Sequence, residues 1–214
     1  MLSSGAGRSR KRRSAPVSPE PTPSSRAAAP LTTVRVSTAS PRTSRSFGRR
    51  DVDFAFDRVF IPSLVVDHTE LVLRQAGVQG HEGFAIWAGT LAGGHAHVAT
   101  VVVPLATSGP GHGEISVETT GRVLNGLDER DLVPMAQLHT HPWRAFLSQT
   151  DAIRPVVAVP GFLSIVIPDF GFVDLADIGV WSAHEYVGPG RWRELDGHER
   201  SRRFIIDDSV IRVD

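Results

Sequence analysis

Two histidines one residue apart, then a serine, then an aspartate three residues beyond it, lie between Leu138 and Asp151. His139 and His141 follow an apolar run, Val133 to Leu138. If that run is a strand, side chains at i and i+2 leave on one face, so both imidazoles can converge on one ion. Ser148-Gln149-Thr150-Asp151 reads as a helix start, with Ser148 at or near the N-cap and an acid three residues on. Asp151 would then sit in a first turn that faces back toward the strand. Two imidazoles, one carboxylate and an open position describe catalytic zinc, because structural zinc is normally closed by four protein ligands. The chain has no cysteine, which removes thiolate zinc sites, disulfides and a cysteine nucleophile together.

A zinc with three protein ligands lowers the pKa of its bound water to about 7. Peptide hydrolysis still needs a proton shuttle. Glu82, in Gly80-His81-Glu82-Gly83-Phe84, is an acid at the entrance of an otherwise apolar run. A carboxylate there could take a proton from the water and later pass it to the leaving amine. Ser148 would donate a hydrogen bond to the developing oxyanion, a role compatible with capping. Trp143, beside the histidines, either lines a substrate groove or packs. His95-Ala96-His97 repeats the His-x-His spacing, but it follows a Gly-Gly turn with no proline or capped acid behind it, and it reads as exposed hairpin histidines.

The elements that must carry these residues are marked by turn residues and apolar runs. Arg58 to Pro62 reads as a strand, and Ser63 as the cap of a helix that stops at Gly77. Phe84 to Leu91 and His95 to Pro104 read as a hairpin through Gly93-Gly94. Leu105 to Gly113 reads as a Gly/Pro/Ser loop, with Gly109 and Gly111 placed to cover a substrate. Ile115 to Glu118 can add a strand, with Thr119 or Thr120 capping a helix through Leu127. Phe162 to Pro168, Gly179 to Val187 and Phe204 to Ile206 read as later strands, with a turn region at Gly188 to Arg193. Trp87, Trp181 and Trp192 read as core or edge packing.

The whole chain divides by composition. Residues 1–50 hold eleven basic residues against Glu20 alone, leaving twelve basic against 22 acidic residues in the remainder. So few large apolar side chains cannot offset the entropy of ordering, so disorder is expected in 1–50. Its charge reads as a solvated tail; binding to nucleic acid or an acidic partner, and an organelle transit peptide, stay open as alternatives. Residues 51–208 read as one mixed α/β domain and 209–214 as a short C-terminal tail. No apolar run approaches the 18 or so residues that span a bilayer, and no hydrophobic signal core follows Met1, so a cytoplasmic protein with no membrane partner is expected, nucleic acid being the less favoured partner of the tail.

Taken together, Glu82, His139-Thr140-His141-Pro142, Ser148 and Asp151 resemble the pattern of the JAMM (MPN-plus, or JAB) metallopeptidases over about residues 55 to 205. The resemblance implies an α/β fold: a curved mixed β-sheet flanked by helices, in the cytidine-deaminase-like architecture. It implies one zinc ion held by His139, His141 and Asp151, with Glu82 as general base and acid and Ser148 on the oxyanion. It also implies a stand-alone prokaryotic-type peptidase or isopeptidase acting after the C-terminal tail of a ubiquitin-like or sulfur-carrier protein, with activating or conjugating enzymes as further partners. A non-catalytic scaffold of the same fold is the alternative, though scaffold relatives have usually lost the ligand set. One departure stands out. Pro142 to Leu147 places six residues between His141 and Ser148, where the commonest form of the pattern has seven.

Overall fold

The computed structural model describes residue 54 and residues 56–104, 107–109 and 112–207, all within the second of the chain's two units, residues 39–214. The expected tails, 1–50 and 209–214, lie outside the described residues, as does Gly111. The elements run β1 (Arg58–Pro62), α1 (Ser63–Gly77), β2 (Phe84–Ala92), β3 (His95–Val102), β4 (Thr107–Gly109), β5 (His112–Glu114), α2 (Val117–Asp128) and β6 (Val133–Thr140). There follow α3 (Gln149–Ile153), β7 (Leu163–Ile167), β8 (Ser182–Gly188), β9 (Arg191–Glu194), α4 (Gly197–Arg203) and β10 (Phe204–Asp207). Eight strands form one mixed sheet in the order β10-β1-β3-β2-β6-β7-β8-β9. Pairs β1/β10, β1/β3 and β6/β7 are parallel, and the other neighbours are antiparallel. The architecture is α/β, a mixed sheet flanked by helices, as expected.

Alternation along the strands gives the sheet two different faces. Trp87 lies opposite Ala136, and these residues with Leu138, Leu163 and Ile165 build the hydrophobic core on one face. α1 covers that face with Val65, Val66, Thr69 and Leu73, spaced for a single helical stripe. The buried Trp87 ring keeps its polar edge satisfied, its Nε1–H donating to Thr69 Oγ1 at 2.9 Å. The opposite face carries Gln137 and His139 on β6. Among the described residues, no helix is long and apolar enough to cross a membrane.

Several elements differ from expectation for local reasons. Ser63 is the first residue of α1, not its cap; Pro62 holds the cap position with a φ of −59° and gives no side-chain bond. Residues 115–118 form no strand: Ser116 accepts the Thr119 N–H at 3.1 Å and caps α2, which starts at Val117. The expected loop at 105–113 contains an antiparallel ribbon, β4 with β5, and Gly109 ends its first strand. Residues 188–193 are a tight turn followed by β9, whose Trp192 ring packs on Tyr186 at 5.1 Å. α4 adds a helix beyond the expected elements, with Asp196 and Glu199 forming a capping box at its start. His95 and His97 are half-buried rather than exposed, because β1 lies beside β3 and sets Phe60 against both rings, at 5.7 and 5.1 Å. The hairpin turn is as read: Gly93 and Gly94 have φ of 59° and 75°, the sign that a two-residue turn of this hand demands.

Candidate metal centre

The C-terminal end of β6 is held on both sides. His139 pairs with Phe84 of β2 and Val166 of β7, and the Phe84 ring stacks on its imidazole at 6.4 Å. His141 lies just past the strand, yet its N–H donates to Ile167 O at 2.9 Å and its carbonyl accepts from Phe170 N–H at 2.8 Å. That second bond needs the chain to reverse sharply after β7, and Asp169 and Phe170 both adopt left-handed φ, 52° and 53°. Phe146 closes over His141 edge-on at 4.7 Å. Both imidazoles are buried.

Asp151 arrives on α3 through a capping box. Its N–H donates to Ser148 Oγ at 3.2 Å, and its Oδ2 accepts the Ser148 N–H at 2.9 Å. The same Oδ2 lies 3.3 Å from His139 Nε2 and 3.4 Å from His141 Nε2. Burial pushes this carboxyl up, but the two imidazoles and Ser148 outweigh it and hold Asp151 well below the usual carboxylate range.

These separations fit a tetrahedral ion. Ligands about 2.0–2.1 Å from such a centre lie about 3.3–3.4 Å from one another. The three ligand atoms lie within 4.8 Å of one another. His139 Nε2 is buried and, despite the nearby carboxylate, makes no well-directed hydrogen bond, as expected of a nitrogen whose lone pair belongs to an ion. The donor set of two nitrogens and one oxygen therefore fits a divalent metal.

Glu82, Ser148 and Trp143 line the same groove, of about 1220 Å³, as His139, His141 and Asp151. Glu82 stands one residue outside Gly83, and Gly83 is fixed by Thr140, the residue between the histidines. Gly83 N–H donates to Thr140 Oγ1 at 2.8 Å, and Thr140 N–H donates to Gly83 O at 3.0 Å. Only glycine fits there, because a Cβ would stand 2.9 Å from Leu73 Cα. Trp143 is 78% exposed and so free to meet a ligand rather than packed away. The side chain surroundings of Gly109 and the place of Gly111 lie outside the described residues. Four residues near the site escaped the sequence: Thr140, Phe146, Gln137 and Trp192. Gln137 left one signal, a polar residue inside an apolar strand at i−2 from His139.

A mixed sheet that delivers His-x-His from a central strand toward a serine-capped aspartate is the arrangement of the JAMM/MPN class. Comparison with known proteins agrees. The chain is 32% identical over 152 residues, covering 69% of it and 93% of the relative, to the probable metalloprotease y4jG of Sinorhizobium fredii strain NBRC 101917 / NGR234. The chain belongs to the JAMM/MPN family. The solution structure of protein DSY2949 from Desulfitobacterium hafniense shares the fold at a TM-score of 0.51 and 15% identity, over 72% of this chain and 95% of that one. A JAB1/MPN domain protein from Archaeoglobus fulgidus aligns over 69% of this chain and 95% of its own, at 11% identity and a TM-score of 0.38, too low to bear on the fold. No protein-family model matches the sequence.

Proposed function

We propose that the protein is a metal-dependent peptidase or isopeptidase that hydrolyses the bond after the C-terminal tail of a ubiquitin-like or sulfur-carrier protein in the cytoplasm. The observation that carries the hydrolase reading is the meeting, in one groove, of three ligand atoms with a carboxylate and a hydroxyl outside the ligand set. The name of the Sinorhizobium relative, a probable metalloprotease, supports it. Zinc suits two imidazoles and one carboxylate with a position left open. When bound, it supplies Lewis acidity, which acidifies water and polarises a carbonyl.

The chain's own groups supply the remainder. His139, His141 and Asp151 hold the ion. Glu82 takes the proton of the attacking water and returns it to the leaving amine. Ser148 uses a lone pair of Oγ to accept the Asp151 N–H, which leaves its hydroxyl hydrogen to donate to the oxyanion. Trp143 and Phe146 give the groove an apolar wall against which an extended tail can lie.

Glu82→Gln, assayed beside wild type on ubiquitin-like precursors and isopeptide conjugates, tests this. The expected result is unchanged metal content with turnover down by about 10²–10⁴-fold. Full turnover in Glu82→Gln overturns the mechanism; wild-type cleavage of unrelated peptides but no ubiquitin-like substrate overturns the substrate assignment.

A further inference from the structure

Asp151 is the weakly anchored member of the triad. His139 and His141 belong to a central strand and its immediate extension, whereas Asp151 rides on α3, five residues long with none of them buried. A helix this short does not sustain itself, since the first hydrogen-bonded turn costs more than it returns. Its capping box joins Ser148 to Asp151 and so ties the helix to itself, not to the sheet. Ligand positions nevertheless have to hold to within about 0.5 Å for a site to be organised. Something outside α3 must hold it.

Two side chains do so, from two strands. Trp192 on β9 donates its Nε1–H to Ala152 O at 3.0 Å, one residue past Asp151. Ala152 is in the last turn of α3, where carbonyls lack helical partners, so the indole fills a need that the helix cannot meet. The indole is itself braced edge-on by the buried Tyr186. Gln137 on β6, two residues before His139 and on its face, accepts the Val156 N–H through Oε1 at 2.8 Å. Its Nε2–H donates to Ser164 Oγ on β7 at 3.2 Å, which orients the amide. Gln137 is buried, so neither bond is exchanged with solvent.

We propose that Trp192 and Gln137 are positioning residues for the metal centre: they tether the backbone on the C-terminal side of Asp151 and hold its carboxylate against the two histidines. The proposal rests on the metal reading above. Partners bonded directly to a ligand govern metal affinity by about 10–100-fold; Trp192 and Gln137 act through the backbone, one and five residues beyond Asp151.

The test uses the full chain, stripped of metal and titrated with Co²⁺ and Zn²⁺. Trp192→Phe keeps a ring against Tyr186 and loses the N–H; Gln137→Met keeps the volume and loses both bonds. Each is expected to raise the dissociation constant about 10–100-fold and to alter the Co²⁺ absorption spectrum. In an Asp151→Ala background, whose weaker residual uptake through the two histidines is lost on dialysis but read by titration with excess ion, neither is expected to weaken binding further. Unchanged affinity in both single variants overturns the proposal, and so does an equal loss with and without the Asp151 carboxylate. Thermal melting of the metal-free forms identifies a variant that does not fold, in which case the other carries the test. A wild-type chain that takes up no ion overturns the metal reading itself, and this proposal with it.

Discussion

Ser148 serves the site through two groups, its hydroxyl and its backbone N–H. Its oxygen caps α3 by accepting the Asp151 N–H, and its backbone N–H steadies the carboxylate that faces the histidines. Ser148→Ala removes the cap and the proposed oxyanion donor together but leaves the backbone bond. The expected outcome is a stability loss of about 1 kcal/mol by denaturant titration, with kcat down by about 10²–10³-fold. His139→Ala and Asp151→Ala remove ligands outright, and metal analysis after dialysis is expected to find both depleted. Those residues were legible in the sequence because ligand chemistry restricts residue type and spacing. Thr140 was not: its hydroxyl points to the α1 side and acts by fixing Gly83, a relation between strands that no local spacing encodes.

At the scale of elements, what was legible followed the same division. β1 and the Gly93-Gly94 hairpin follow from alternation and turn chemistry, which are local. β9 and the β4/β5 ribbon were missed because short strands take their structure from a neighbour, here Tyr186 beside Trp192, rather than from their own sequence. The six-residue Pro142–Leu147 connection is shorter than the family's commonest form, yet Asp151 still reaches both histidines, with Trp192 bonded to α3 at Ala152. Gly83→Ala would force β2 away from α1 at Leu73; a loss of about 1–3 kcal/mol is expected, with turnover reduced as Glu82 moves. Elsewhere, Glu185 on β8 joins Arg193 at 2.7 Å and Arg203 at 3.1 Å. Burial pushes the Glu185 carboxyl up, but the two guanidinium groups outweigh it and lower it. Its contribution is therefore complete above the unfolded glutamate value, about 4.3, and is lost as pH falls through the lower folded value. Melting curves are expected to separate wild type from Glu185→Gln at neutral pH and to draw together as pH falls from the unfolded glutamate value through the lower folded one.

For the molecule as a whole, the sheet has one face for stability and one for the site. The α1-side core, built around Trp87, Leu138 and Ile165, contains none of the metal ligands. Chelation is thus expected to lower the melting temperature without unfolding the chain. A free ion at a thousand times its dissociation constant contributes about 4 kcal/mol, roughly 8–16 °C for a domain of this size, measurable by calorimetry with and without chelator. The left-handed reversal at Asp169 and Phe170 carries a further consequence, in time rather than in energy. It locks the peptide of His141 into hydrogen bonds that continue the central sheet, so amides at 140, 141 and 170 belong with the slowest in hydrogen exchange. The amides of α3 open locally and exchange much sooner. Two residues of the triad sit on the sheet and the third on a short helix tethered through Trp192 and Gln137, so the lifetime of a bound ion would be set by how often those tethers open.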